Sequence, residues 1–104
     1  MTIQFNTDKN ISGHQDFANE STERIAKKLK RFEEHITRIE VHLSDENGHK
    51  NSDNDIRCLM EARFEGRQPI TVTHDANTKQ QALSGATDKL KAALDTVVGK
   101  MAKR

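Results

Sequence analysis

The sequence has few of the residues that usually build a specialised site or a large core. Its 104 residues include no Trp or Tyr, one Cys and one Pro. A lone cysteine forms no internal disulfide and gives no zinc-ligand pattern, so we expect Cys58 to be a small buried hydrophobe in a strand. With four Phe residues and 33% hydrophobic residues, the core must be small and mostly aliphatic.

Long apolar runs and a large charge excess are also absent. No segment approaches the ~20 apolar residues of a membrane span, and residues 1–5 (MTIQF) lack the features of a secretion signal. We therefore expect a cytoplasmic protein with a single domain over residues 1–104 and no membrane partner. The 17 basic and 16 acidic residues give a net charge of +1. Total charge thus argues against a strongly basic nucleic-acid binder, although local clustering can still create a basic face.

No motif for catalysis or ligand capture is found. The five histidines form no H-x-x-x-H pair, and the acidic loop at residues 45–55 does not match a calcium-binding loop. There is no Gly-rich phosphate loop and no Gly-x-Ser-x-Gly nucleophile motif. We therefore expect no enzymatic activity, no cofactor, no metal site and no small-molecule substrate.

Apolar and polar residues alternate in several segments, which is typical of strands covered on one side. The clearest case runs through Ile56, Cys58, Met60, Ala62 and Phe64. The same pattern predicts four strands, at about residues 2–7, 38–45, 55–65 and 70–75. A polar loop at 46–54 and a turn at 66–69 separate the last three strands, which should form an antiparallel meander.

Two stretches have the periodicity of amphipathic helices. The first covers about residues 13–36, after a capping box at Ser12 and Gln15. Its apolar stripe is Phe17, Ser21, Ile25, Leu29, Phe32 and Ile36. The second runs from Asn77, as N-cap, to about residue 101, and Gly85 and Gly99 should weaken it by about 1 kcal/mol each. The predicted fold is α+β in the order β-α-β-β-β-α, a four-stranded sheet with both helices packed on one face.

Basic residues are concentrated in the first helix. Five cations and no acid occupy residues 24–31, and three- and four-residue steps place four of them in one stripe, Arg24, Lys27, Lys28 and Arg31. Such a stripe suits phosphate groups. The alternative is a solvated helix face on which Glu20, Glu23 and Glu34 pair with Arg24, Lys27 and Lys30.

The second helix is also basic. Lys100 lies in its last turn, where a cation complements the helix dipole. Lys89 and Lys91 have no such structural reason. Lys89 and Lys100 share one flank of this helix, and Asp88 and Asp95 lie on the other.

Two parts of the chain resemble the ribosome hibernation-promoting factors, the family also called ribosome-associated inhibitor or sigma factor modulation proteins. One is residues 27–33 (KKLKRFE) followed by the Ile36, Arg38-Ile39 and Val41-His42-Leu43 positions. The other is the closing helix, with Ala82, Ala86, Asp88-Lys89-Leu90 and Leu94. The resemblance is to a short or divergent form, because the chain ends at 104 and residues 77–80 read NTKQ where the family has a tyrosine-containing step.

The resemblance implies two parallel helices on a four-stranded sheet and binding to the small ribosomal subunit and its RNA. It also implies inhibition of translation in stationary phase or stress. The matching RNA-binding positions are Lys28, Arg31, Arg38 and Lys89, to which helical geometry adds Arg24, Lys27 and Lys100. The alternative is a protein-interaction domain of the same fold that does not bind RNA. It would use the outer face of the sheet, where Leu59 is the one large apolar residue.

Overall fold

The computed structural model describes residues 1–8, 14–46 and 55–102. The strands are β1 (Thr2–Thr7), β2 (Ile36–Asp45), β3 (Ile56–Phe64) and β4 (Arg67–Ala76), and the helices are α1 (His14–Lys28) and α2 (Lys79–Ala102), with a 3₁₀ turn at Lys30–Phe32. The predicted capping residue Ser12 and most of the predicted 46–54 loop lie outside the described residues.

The four strands form one mixed sheet in the order β1-β2-β3-β4. β1 runs parallel to β2, and the other two pairs are antiparallel, so the predicted meander is confirmed. The register places Val41 opposite Met60, and Met60 opposite Val72. Side chains at such paired positions lie on the same face of a sheet. The pairing therefore collects the apolar residues of three strands on one face.

Both helices cover this apolar face. Ile25 of α1 and Leu90 and Leu94 of α2 are fully buried, and so are Val41 and Met60 of the sheet. Phe17 of α1 also meets Phe5 of β1 edge to face, with 5.8 Å between the ring centroids. The predicted α+β architecture, a sheet with two helices on one side, is confirmed.

The first helix is shorter than its hydrophobic spacing predicts. α1 ends at Lys28, and bonds between residues three apart then tighten the chain, with Phe32 N–H donating to the carbonyl of Leu29 and His35 N–H to that of Phe32. A three-residue step keeps Phe32 on the buried side. Ile36 is buried too, but as the first residue of β2. The stripe was therefore assigned correctly to the core, while its last three members, Leu29, Phe32 and Ile36, lie outside the α-helix.

Two further boundaries differ from prediction. β4 begins at Arg67 rather than near residue 70, because Phe64 pairs with Arg67 and leaves Glu65 and Gly66 as a two-residue turn. Gly66 has a φ of 73°, a conformation that glycine adopts without strain. Thr78, and not Asn77, caps α2, since its Oγ1 accepts a hydrogen bond of 3.1 Å from the Gln81 N–H.

Candidate nucleic-acid interface

The two helices lie side by side and run in the same direction. Lys28 Nζ is 2.5 Å from a carboxylate oxygen of Asp88. Further along both segments, Arg31 pairs with Asp95. At the start of both helices, Lys79 Nζ of α2 lies 4.7 Å from the ring centroid of Phe17 of α1. Contacts that advance together along both helices require a parallel arrangement, in agreement with what the resemblance implies.

The structure brings the predicted cations of α1 together with one more. Arg24, Lys27 and Lys28 line a groove of about 590 Å³ between α1 and the first half of α2. A second hollow, at the end of α1, is bordered by Lys27, Lys28, Lys30 and Arg31, and also by Glu33 and Glu34. These five residues, Arg24, Lys27, Lys28, Lys30 and Arg31, form what we call the basic surface.

Three members of the basic surface are available to a ligand. Within the described residues, Arg24, Lys27 and Lys30 form no ion pair, and all three side chains are exposed. The pairs with Glu20, Glu23 and Glu34 that would neutralise this helix face are thus not formed there. Lys28 and Arg31 are instead held by acids of α2, and the Arg31 guanidinium also lies 4.7 Å from the centroid of the Phe32 ring.

Lys89 and Lys100 lie on a different side of the molecule. Lys89 Nζ donates a 2.9 Å hydrogen bond to the carbonyl of Thr73 in the edge strand β4. A lysine on an exposed edge protects it from pairing with another strand, so Lys89 has a structural role that the sequence did not suggest. Lys100 lies three turns further along the same flank. Neither residue joins the basic surface.

Lys91 is the cation of α2 that belongs with α1. It lies three residues after Asp88 and four before Asp95, and these steps return to the same side of a helix. Asp88 contacts the end of α1 and Asp95 contacts the 3₁₀ turn after it, so Lys91 is on the flank that faces this segment. It is half-buried, and no ion pair involving it occurs among the residues that the structure describes.

Arg38 lies on the open face of the sheet, opposite the helices. It alternates with the buried Ile39, and its guanidinium bonds the Glu40 carboxylate at 2.7 Å. Glu40 also contacts Arg63 at 3.3 Å. Partial burial of Glu40 favours the neutral acid, but the charges of Arg38 and Arg63, with hydrogen bonds from Arg38 and His42, outweigh it and lower the pKa. The structure thus separates Arg38 from the other predicted RNA-binding residues.

Other charges on the open face are neutralised in the same way. Arg57 donates to the carboxylate of Asp75 at 2.9 Å, and this hydrogen bond lowers the pKa of Asp75 and raises that of Arg57. Arg63 is bonded to Glu61 at 2.9 Å. Each described arginine of β2 and β3 therefore faces at least one carboxylate, which makes this face a poor site for a polyanion.

Reasoning from sequence did not include two cations that the structure places near the candidate interface. Lys30 is outside the helical stripe, and joins the basic surface because α1 gives way to a tighter turn at residues 30–32. Lys91 was noted as lacking a structural reason but was not included in the site. Its spacing from Asp88 and Asp95 was a usable signal, but it becomes informative only once those acids are known to face α1.

Other kinds of site find no support in the described parts of the chain. There, no three His, Cys, Asp or Glu side chains come together as a metal site. The Cys58 thiol is buried between sheet and helices, and burial raises its pKa to about 12, so it is a core residue, as predicted. Over the same residues, neither helix has the length and apolar character needed to cross a bilayer.

Comparison with known proteins identifies the family. The family model described as sigma 54 modulation protein / S30EA ribosomal protein matches residues 9–102. The chain therefore belongs to this family, as the resemblance indicated. These are ribosome-associated modulation factors and not enzymes, which confirms the prediction that the chain is not an enzyme. No curated protein matches the sequence significantly.

Solved structures show the same fold in distant relatives. The N-terminal domain of Protein Y from Thermus thermophilus superposes with a TM-score of 0.72 at 15% identity, covering 93% of this chain and 99% of that one. A ribosomal subunit interface protein from Coxiella burnetii gives a TM-score of 0.70 at 17% identity, covering 95% and 99% respectively. At these identities the likeness establishes the shared fold.

Proposed function

We propose that this protein acts in the cytoplasm by binding RNA of the small ribosomal subunit through the basic surface, and that it thereby inhibits translation in stationary phase or stress. The single observation that carries the proposal is the group of exposed, unpaired cations Arg24, Lys27 and Lys30 beside the helix–helix seam. Family membership, and a structural relative titled as a ribosomal subunit interface protein, support the choice of ligand.

The mechanism is steric and needs no chemical step. Phosphates of RNA pair with the cations of the basic surface, and the bound domain occupies space that translation requires. Arginine provides a planar fork and lysine a mobile point charge for phosphate oxygens. The charge pattern favours this side of the molecule, because the arginines of β2 and β3 are already paired with carboxylates on the opposite face.

The salt dependence of binding provides the first test. If Arg24, Lys27, Lys30 and Lys91 each contact one phosphate, the log–log slope of affinity against salt should be about −3 to −4. Raising salt from 50 to 200 mM should then weaken binding roughly 50- to 150-fold. We would measure co-sedimentation with purified small ribosomal subunits over this range.

Neutralising variants locate the contact. In the Arg24→Gln/Lys27→Gln variant, affinity should fall and the slope should become shallower by about 1.5 to 2, because two phosphate contacts are lost. The matched control is Arg67→Gln/Lys100→Gln, which removes two exposed charges outside the basic surface. The control should retain the wild-type slope. Equal slopes for all three proteins would refute the assignment of the site.

The competing hypothesis, protein binding without RNA binding, gives different results. A partner seated on the open sheet face would tolerate the loss of Arg24 and Lys27, and its binding would respond to Leu59, which is half-buried there. Translation in a reconstituted extract distinguishes the two. Wild-type protein should inhibit synthesis in proportion to ribosome occupancy, whereas Arg24→Gln/Lys27→Gln should inhibit less at the same concentration.

A further inference from the structure

The acids of α2 form ion pairs with two cations of the basic surface. The helix has two acidic residues, Asp88 and Asp95, and they reach across the seam to the end of α1 and to the 3₁₀ turn that follows it. Asp88 pairs with Lys28 and Asp95 with Arg31. The cations are 43% and 59% exposed, and the acids 61% and 47%. Both pairs are therefore open to an approaching ligand.

The exposure of these pairs makes a mainly structural role a poor explanation. Exposed ion pairs contribute little to stability, because solvent screens them and two long side chains must be ordered. Ile25 of α1 and Leu90 and Leu94 of α2 already attach the two helices to the sheet. The two pairs do, however, occupy two of the five cations of the basic surface. Their effect on a polyanionic ligand should exceed their effect on the fold.

We propose that Asp88 and Asp95 set the affinity of the basic surface. Their carboxylates bind Lys28 and Arg31 at the positions that RNA phosphates occupy in the complex. This inference rests on the proposed function. A carboxylate and a phosphate offer the same cation similar oxygen acceptors. RNA must therefore exchange with each carboxylate, which remains tethered nearby and repels the phosphate.

The exchange has a consequence for selectivity. A ligand that contacts Arg24, Lys27 and Lys30 meets free cations, whereas one that also covers the seam must displace two ion pairs. RNA that presents several phosphates along the seam at once can do so. The tethered acids thus lower the affinity for isolated phosphates more than for a dense, ordered array of them.

The test replaces each carboxylate by an amide, which removes the charge and keeps the shape of the side chain. Asp88→Asn and Asp95→Asn should each tighten binding to purified small ribosomal subunits by about 1.4- to 5-fold, the range expected for releasing one exposed ion pair. The slope against salt should steepen by up to about 0.7–0.9 for each cation released. Glu65→Gln is the matched control. It makes the same change in net charge in the β3–β4 turn, where Glu65 is exposed.

Two more variants separate a specific exchange from a general change in charge. Asp88→Glu keeps the carboxylate and should bind like wild type. In a Lys28→Gln background, Asp88→Asn should gain no more than the Glu65→Gln control, because the cation that it would release is gone. Urea unfolding of each variant should show wild-type stability, which excludes an effect through the fold.

The outcomes distinguish this inference from the proposed function. If wild-type binding is salt-dependent and weakened by Arg24→Gln/Lys27→Gln, but Asp88→Asn/Asp95→Asn binds like the Glu65→Gln control, the exchange is refuted and the proposed function stands. If binding depends neither on salt nor on Arg24 and Lys27, the proposed function fails first. The exchange is supported if the Asn variants bind more tightly and with a steeper salt dependence while the Glu65→Gln control does not.

Discussion

Gly85 provides the most direct test of how α2 sits on the sheet. It lies inside the helix, where replacement of glycine by alanine normally stabilises by about 1 kcal/mol. In this structure the imidazole of His74, on β4, fills the space that a side chain would need. A Cβ added at Gly85 would lie 2.1 Å from His74 Cδ2 and 2.3 Å from Nε2. The contact therefore requires glycine.

The expected effect follows from two opposing terms. Ordinary contact with a Cβ begins at 3.4 Å, so the ring or the helix must move by more than 1 Å. Forcing an extra methyl into a packed site costs about 1–3 kcal/mol, which offsets or exceeds the gain in helix propensity. Gly85→Ala should therefore lower the free energy of unfolding by about 0–2 kcal/mol.

Gly99 in the same helix is the matched control. A Cβ there would have no heavy atom within 4 Å, so Gly99→Ala should raise the free energy of unfolding by about 0.5–1 kcal/mol. Urea denaturation measures both variants, and the urea m-value should not change. In a His74→Ala background, Gly85→Ala should become stabilising. If Gly85→Ala stabilises the native protein as much as Gly99→Ala does, the packing of His74 on α2 is refuted.

Two further predictions concern titratable groups. The Glu40 pKa is held below its usual 4.5, so its stabilising contribution is present above that pH and is lost as pH falls through the lowered value. Glu40→Gln should therefore be less stable than wild type at pH 7 and lose less stability between pH 5 and 3 in urea titrations; parallel curves would contradict this. Because the pKa of the buried Cys58 thiol is about 12, the native protein at pH 8 should react with a thiol reagent only as fast as it unfolds. Rapid labelling under native conditions would show that the site is open.

The fold was largely predictable, because strands and helices that are buried on one face only show a two-residue or a three- to four-residue spacing of apolar residues. A strand under helices must alternate, and Ile56 to Phe64 does so over nine residues. The end of α1 was not predictable in the same way. Ile36 fits the helical stripe, four residues after Phe32, and also the alternation that continues at Ile39 and Val41. Sequence spacing alone cannot decide between two patterns that share a residue, whereas the hydrogen bonds at residues 29–35 do.

The candidate site was predictable in part, for a related reason. Helical spacing correctly grouped Arg24, Lys27, Lys28 and Arg31, because three- and four-residue steps are local geometry. Which flank of α2 faces α1 depends on how two distant segments dock, and no local pattern specifies it. The resemblance suggested Lys89 as a binding position, whereas in this structure Lys89 reaches the edge strand β4. Likewise, sequence spacing gave Lys28 and Arg31 no partners, because their acids are far away in the sequence.

The small net charge of the chain is compatible with binding a polyanion, because position matters more than the total. If acidic and basic residues were distributed at random, a net charge of +1 would leave every part of the surface close to neutral. In this fold the open sheet face carries Glu40 and Asp75 against its arginines, and these charges cancel within a few ångströms. Cancelled pairs contribute little field at the distance of a ligand, since opposite charges a few ångströms apart are seen from afar as a dipole. On the helix side, Arg24, Lys27 and Lys30 form no ion pair within the described residues, so their charges remain available to a ligand. Asp88 and Asp95 pair with two cations of the basic surface, so changing these acids should alter the strength of that surface without rebuilding it.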